Sequence, residues 1–493
     1  MKTSRYNRIA NRAVGIVVLT AGLVSSKIQA QVPSCPSPVR EDEAALVVSS
    51  KVRAVGHLVQ SHTLGMLNRP FSAVEQGVFS VGVLAVDLAR RADIRFRRMP
   101  CLGTHQVPAV SGASGMDLAD WERDLDRITG RPAENGTLRY LVGGETFFTR
   151  LEQAVRNAKQ SVHMQTYIYD NDDVALDLAD LLRAQSMTLD VKILFDGLGT
   201  QIAQGVRPDS LPKEYVGPDS MRRYLESGSR VKVRATQNTW LRGDHVKCTI
   251  IDDERAFLGG MNIGREYRYD WHDLMVEIAG PAANVLQDQF DRTWKRSGVG
   301  GDLGRLLGRS PRRPEPKRNP GEYGLRFIAT EPGSPILRRV HLEALRRARN
   351  YAIFENAYLA DDAMILELCK ARKRGVDVRV ILPEASNHQV MQINHRLVER
   401  TLIRHGVRVY RYPGMSHVKA GVIDGWACLG TANLDKLSFY VNRELNVATS
   451  DPAAVDALLR DLLAKDLEKS TEVTQPRTVA FSDHVVELIA DEL

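Results

Sequence analysis

Long apolar runs are missing from this sequence. The charge-free stretch Ala13 to Ser26 has 14 residues, short of the roughly 20 that a membrane-spanning helix needs. Gly77 to Val86 is shorter and runs into Asp87, Arg90 and Arg91. Cysteine is scarce: there are five, an odd number, and no CxxC pair. That leaves no support for a zinc ribbon or a thioredoxin-type redox site. No HExxH occurs either, so the usual helical zinc-hydrolase signature is absent. With 37 Gly and 21 Pro in 493 residues, 43% hydrophobic and 26% charged residues, the chain is neither collagen-like, disordered nor a small disulfide scaffold.

Acidic residues are absent from positions 1–30, which carry Lys2, Arg5, Arg8, Arg12 and Lys27. A basic start, a short apolar run, then Ile28 and Ala30 read as an export signal over 1–30; an uncleaved anchor is the alternative. The net charge is +7. Five of those charges belong to this segment, so only +2 remains for the rest, and the basic excess does not argue for nucleic acid. Export would place Cys35 and Cys101 where they could pair. Cys248, Cys369 and Cys428 sit among apolar residues and read as core.

The length predicts two to four domains at roughly 150 residues each, and an internal repeat supplies two of them. HVKCTIIDDERAFLGGMN begins at His245 and HVKAGVIDGWACLGTAN at His417. LEQAVRNAKQSVHMQTYIYDNDDVALDLADLL, from Leu151, parallels LEALRRARNYAIFENAYLADDAMILELCKAR, from Leu342. Each copy reads helix, strand, loop, helix. The helices carry Leu151, Val155, Ala158 and Leu342, Leu345, Ala348 at helical spacing, and the strands span 162–169 and 352–359. A further strand follows in each, from Val191 and from Val376. The predicted fold is therefore α/β, with two pseudo-twofold-related halves, each a mixed sheet flanked by helices. The halves are placed at 137–300 and 322–470, joined by a Pro-, Gly- and Arg-rich linker at 301–321. Residues 31–130 match neither half and read as mostly helical. The 471–493 tail reads as a loop and an amphipathic helix.

Each repeat holds His, one spacer, Lys, four spacers, Asp: His245, Lys247, Asp252 and His417, Lys419, Asp424. Residues two apart on a strand share a face, so each His and Lys point together. The Asp has opposite parity and opens a turn, so Asp252 and Asp424 are given a structural role. Hairpins centred near 253.5 and on Gly425 would set Asn262 across from His245 and Asn433 across from His417. Gly259, Gly260 and Gly430 leave room for a ligand, and Thr431 adds a hydroxyl. Asp273 and Glu444 stand at matched distances beyond the two Asn, which suggests one carboxylate for each histidine. Two His, two Lys, two Asn and two carboxylates suit a phosphodiester. Lys and Asn would hold the non-bridging oxygens, one His would attack phosphorus, and the other would move the proton. The HxK segments lack metal-ligand spacing, and neither metal nor cofactor is expected.

The paired HxKxxxxD motifs with trailing GGMN and GTAN resemble the phospholipase D superfamily, and within it the bacterial cardiolipin synthases. The stretches MQTYIY, WHDLMVEIAGP, RGVDVRVILPEASN and GTANLDKLSFYVNRELNVATSDP carry the likeness over about 137–470. The resemblance implies a site between two α/β halves and ping-pong phosphatidyl transfer. It implies His245 and His417 as the catalytic pair, Lys247 and Lys419 as phosphate binders, and Asn262 and Asn433 as accessory binders. His245 is the expected nucleophile, with the reverse assignment open. Three features depart from the pattern: one short N-terminal segment instead of two membrane helices, Thr431 where Ser is usual, and FENAYL from Phe354. The expected activity joins two phosphatidylglycerols into cardiolipin and glycerol at a membrane surface, on the outer side of an inner membrane. Hydrolysis to phosphatidic acid is the near alternative. A nuclease of the same superfamily and a non-catalytic membrane-interaction protein are the others. No nucleic acid and no obligate partner protein are expected.

Overall fold

Two runs of βαβ units fold into one continuous sheet. The computed structural model describes residues 59–475 and 477, apart from 65, 68–70, 72, 75, 78–88, 104–106, 299–322 and 332. The expected export signal, Cys35, the basic linker and most of the tail lie outside the described residues. The first run holds β1 (Glu134–Val142), β2 (Ser161–Thr166), β3 (Asp190–Asp196), β4 (Lys232–Thr236), β5 (Cys248–Ile251), β6 (Arg255–Gly259) and β7 (Leu274–Ala279). The second holds β8 (Tyr323–Thr330), β9 (Tyr351–Asn356), β10 (Asp377–Pro383), β11 (Arg408–Tyr412), β12 (Lys419–Ile423), β13 (Trp426–Gly430), β14 (Glu444–Thr449) and β15 (Thr471–Glu472).

The order is β15-β11-β10-β9-β12-β13-β14-β8-β1-β7-β6-β5-β2-β3-β4. From the antiparallel β1–β8 junction outward, both arms repeat one order: β1-β7-β6-β5-β2-β3-β4 and β8-β14-β13-β12-β9-β10-β11. Parallel pairs (β2–β3, β3–β4, β9–β10, β10–β11) come where a crossover intervenes, and the hairpins β5–β6 and β12–β13 are antiparallel.

The helix Gly144–Arg156 buries Phe147, Phe148, Leu151 and Val155 against the first arm. Its counterpart Ile336–Arg347 buries Leu337, Val340, Leu342 and Leu345 against the second. Ala158 and Ala348 lie just past these helix ends. The strands predicted to reach 169 and 359 stop at Thr166 and Asn356. Beyond them the chain leaves the sheet: Ile168 O accepts from Ile263 N at 3.1 Å, and Leu359 bridges Leu434. Among described residues before 130, helical residues occur at 59–64, 66–67, 71, 73–74, 76–77, 89–101 and Leu118–Thr129. The last of these packs on the second arm, with Trp121 edge-on to Trp426 at 5.5 Å and Arg347 bonded to Asp120 at 3.0 Å.

Both hairpin registers differ by one residue from expectation. Cys248 pairs Leu258 and Ile251 pairs Arg255, which centres the first turn on Asp253. Ala420 pairs Leu429 and Ile423 pairs Trp426, which centres the second between Asp424 and Gly425. Asp424 and Gly425 take φ of +48° and +89°, the backbone of a two-residue hairpin turn. Extended inward, these registers set His245 and His417 across from Met261 and Ala432. Asn262 and Asn433 each lie one residue further on, where the chain has already left the ladder.

Candidate active site

The first HxK segment precedes β5 and the second runs into β12 at Lys419, and the two arms meet at these segments through the bridges Asp244–Arg443 and His272–Ser416. Backbone bridges join the arms there. His245 N donates to Arg443 O at 3.0 Å, and His417 N donates to His272 O at 2.6 Å. Each histidine is thereby strapped to the residue just before the opposite arm's carboxylate. The consequence is a crossed pairing. His245 Nδ1 lies 2.9 and 3.1 Å from the two oxygens of Glu444, and His417 Nδ1 lies 2.7 Å from Asp273 Oδ2. Sequence spacing left open which carboxylate serves which ring; the arms exchange them. A carboxylate on Nδ1 fixes the tautomer and leaves Nε2 as the nitrogen for chemistry. A Cβ on Gly260 would strike the Asp273 carboxylate, so that close approach requires glycine.

Lys247 and Lys419 are 1% and 3% exposed, unusual for ammonium groups. Their Nζ atoms donate to the carbonyls of His245 and His417 at 2.8 and 2.7 Å. Burial pushes Lys419 down to about 8 and Lys247 well below the ordinary lysine value. Burial, reinforced by both lysines, holds the His245 imidazole well below its ordinary value. Burial and Lys419 push His417 down to about 3, against the pull of Asp273. Burial also pushes the Glu444 carboxyl up to about 8. Each arm's groups feel the other's: Lys419 acts on His245, and Lys247 on His417. The shifts share one sense, since a dry site disfavours isolated charge. A phosphodiester anion would act the other way, favouring ammonium and imidazolium.

The remaining predicted residues divide. Thr431 Oγ1 donates to Glu444 Oε2 at 2.5 Å and accepts from Leu445 N at 2.9 Å, so the hydroxyl braces the carboxylate. Asn262 and Asn433 are both buried. Asn262 Oδ1 accepts from Ile168 N at 3.0 Å, while Asn433 Oδ1 has no hydrogen-bond partner among the described residues. Asp252 and Asp424 stand at the far ends of β5 and β12. Asp252 accepts from the backbone N–H of Lys159, Gln160 and Ser161, and Asp424 from those of Met116, Arg349, Asn350 and Tyr351. Each ties its hairpin turn to the start of β2 or β9.

Sequence reasoning missed the aromatic wall. Tyr167 meets the His245 ring edge-on at 4.7 Å and lies 5.2 Å from Lys247 Nζ. Tyr267 and Trp271 flank His417 at 5.7 and 5.3 Å. The available signal was their density in EYRYDW, residues 266–271, in a chain with only 6% aromatics. Among the described residues, no helix is long and apolar enough to cross a membrane.

A family model described as "Cardiolipin synthase, PLD-like domain" matches residues 151–294 and 341–465, one segment in each arm. Cardiolipin synthase A of Pseudomonas fluorescens (strain SBW25) is 29% identical over 360 residues, covering 69% of this chain and 70% of that protein. Cardiolipin synthase B of Salmonella typhi is 28% identical over 367 residues, covering 70% and 84%. Among solved structures, phosphatidylserine synthase of Haemophilus influenzae Rd KW20 superimposes with a TM-score of 0.56 at 13% identity, over 76% of this chain and 97% of that one. That likeness is one of fold. With its paired motifs and a family match across both arms, the chain belongs to the PLD-like domain family of cardiolipin synthases and is an enzyme of the phospholipase D superfamily.

Proposed function

We propose that this enzyme transfers a phosphatidyl group between two phosphatidylglycerols, giving cardiolipin and glycerol through a phosphohistidine. The observation that carries the reading is the crossed pair of carboxylate-bound histidines flanked by two buried lysines. Lys247, Lys419 and the amides of Asn262 and Asn433 hold the non-bridging oxygens of the donor phosphodiester. His245 Nε2 attacks phosphorus as the P–O bond to glycerol breaks, and imidazolium His417 gives its proton to the departing oxygen. Neutral His417 then takes the proton of a second phosphatidylglycerol hydroxyl. That oxygen attacks the phosphohistidine and frees His245. Asp273 and Glu444 keep the rings oriented and stabilise the imidazolium forms. The names of the bacterial relatives support this donor and acceptor. The export-like N-terminus supports action on the outer face of an inner membrane.

The test incubates the purified chain with phosphatidylglycerol vesicles and resolves the lipids. Cardiolipin with glycerol is the expected result. Phosphatidic acid alone would assign the second step to water, and no lipid product would refute the reading. With phosphorus-labelled lipid, His417→Ala should accumulate acid-labile label on the protein, and His245→Ala should not.

A further inference from the structure

Beside the reactive histidines lie three side chains that no step above uses: His272, Glu355 and Asp466. His272 precedes Asp273 in the first arm. Glu355 lies in β9, and Asp466 in the helix Ala464–Lys469. One ligand atom from each lies within 4.8 Å of the others. His272 Nε2 is 2.7 Å from Asp466 Oδ2. Glu355 and Asp466 are 0% and 1% exposed. Ser416 Oγ donates to Glu355 Oε1 at 2.6 Å; no N–H or other hydroxyl among the described residues reaches Glu355 Oε2, and the Glu355 and Asp466 carboxyls lie within hydrogen-bond reach of each other. Tyr412 stacks on the His272 ring at 4.6 Å and 14°. Backbone bonds to Met415 and His417 hold His272 on either side.

The pseudo-twofold supplies a comparison within the same molecule. It carries Glu355 onto Gln165, Ser416 onto Asp244 and His272 onto Arg443. At that second position Gln165 Nε2 donates to Asp244 Oδ1 at 2.7 Å. Arg443 reaches Asp244 at 3.4 Å and Thr293 Oγ1 at 2.9 Å. There Asp244, with Asp196 beside it, meets the guanidinium of Arg443, which also acts on Glu331. At the His272 position two buried carboxylates meet a single imidazole. Lys469 lies 3.9 Å from Asp466, but its side chain is 56% exposed, a weak partner for a buried charge. Buried carboxylates persist only when paired, protonated or bound to metal, and here burial and Asp466 push the Glu355 carboxyl well above its usual range. Where one arm carries its own cation in Arg443, the other has the ligands for one.

We propose that His272 Nε2 and the carboxylates of Glu355 and Asp466 bind one divalent ion of the zinc class, clamping the two arms beside His417. One imidazole and two carboxylates suit zinc. Tetrahedral ligands at zinc bond lengths sit about 3.3 Å apart. That falls between the 2.7 Å His272–Asp466 separation and the 4.8 Å limit of the cluster, so small side-chain movements complete the site. The role is structural. The ion takes no part in phosphoryl chemistry; the expectation of no metal rested on the missing HExxH and CxxC and on the HxK spacing, none of which bears on ligands drawn from three separated segments.

The test measures metal in the full-length chain, purified without chelator and equilibrated with micromolar zinc, then desalted. About one zinc per chain is expected, held by three protein ligands. A chelator should remove it and lower the melting temperature. Glu355→Gln and Asp466→Asn should each weaken zinc binding by about 100-fold or more, whereas His245→Ala should retain the ion. That last variant separates this cluster from adventitious binding at the reactive histidines. Wild-type protein with no bound zinc and melting indifferent to chelator would overturn the proposal, even if the acid variants fail to fold. So would zinc lost from His245→Ala but kept by Glu355→Gln. A metal-free Glu355→Gln that melts at or above wild type would also overturn it, showing that the two carboxyls share a proton instead.

Discussion

Asp424 provides a direct test of whether the third residue of the repeated motif serves the fold or the chemistry. Its carboxylate is buried. Oδ1 accepts from Asn350 N and Tyr351 N at 3.0 and 2.8 Å, and Oδ2 from Met116 N and Arg349 N at 2.9 and 2.7 Å. Hydrogen bonds to a charged acceptor contribute about 1.5–3 kcal/mol each, so four give an upper bound of about 6–12 kcal/mol. The four share one carboxylate, and water can reach some of the released N–H groups, so Asp424→Ala should cost about 4–5 kcal/mol. Alanine at φ +48° adds about 1 kcal/mol of strain. Asp424→Gly removes that strain and isolates the hydrogen-bond contribution. Asp424→Asn keeps one accepting oxygen but turns an N–H₂ toward two N–H donors, so it should cost at least half as much as the alanine. Asp252 is half-buried with three donors, two of them on exposed residues. Asp252→Ala should cost about 2 kcal/mol. Urea and thermal melts should rank Asp424→Ala, Asp424→Asn, Asp252→Ala in decreasing damage. The fraction that stays folded at low temperature should keep turnover within about threefold of wild type, since neither carboxylate touches the site. A variant that melts like wild type yet loses turnover would refute this reasoning and place the carboxylate in the chemistry.

The crossed pairing predicts a coupling pattern. Glu444→Gln should lower turnover by about 10–100-fold, and adding it to His245→Ala should change the residual rate little, because the two act as one unit. Partnership within an arm would instead couple Glu444 to His417. The lysine shift predicts a basic limb. In the proposed mechanism Lys419 binds the anion in its protonated form, and with its value near 8 it loses that charge as pH rises through that range. The ratio kcat/KM should therefore fall above pH about 8, and in Lys419→Arg that limb should vanish, whatever the absolute rate. Thr431→Ser keeps the hydroxyl that donates to Glu444 and should cost less than threefold in turnover. Thr431→Val should cost about tenfold, as expected when a buried carboxylate loses a donor. Equal rates for the two would show that the hydroxyl braces nothing.

Much of the fold was legible because duplication marks its own boundaries. The matched motifs and flanking helices pointed to a repeated α/β order, and short apolar runs located the buried strands. The edges erred where the chain leaves the sheet: Thr166 and Asn356 end strands predicted to run three residues further. The hairpin registers slipped by one because a turn's length depends on backbone angles at Asp252, Asp253 and Asp424, all at positive φ, which composition does not reveal.

The sequence by itself determined the inventory: paired His, Lys, Asn and carboxylates on two copies of one unit, with the motif Asp held apart by strand parity. That follows because parity and repetition are local, chain-bound properties. Only the tertiary structure decided the partnerships. His245 takes Glu444 and His417 takes Asp273 because the backbone bridges from His245 to Arg443 and from His417 to His272 exchange the arms' carboxylates. The His272, Glu355 and Asp466 cluster is likewise invisible along the chain. Its members come from three separated segments, and only the fold buries them side by side.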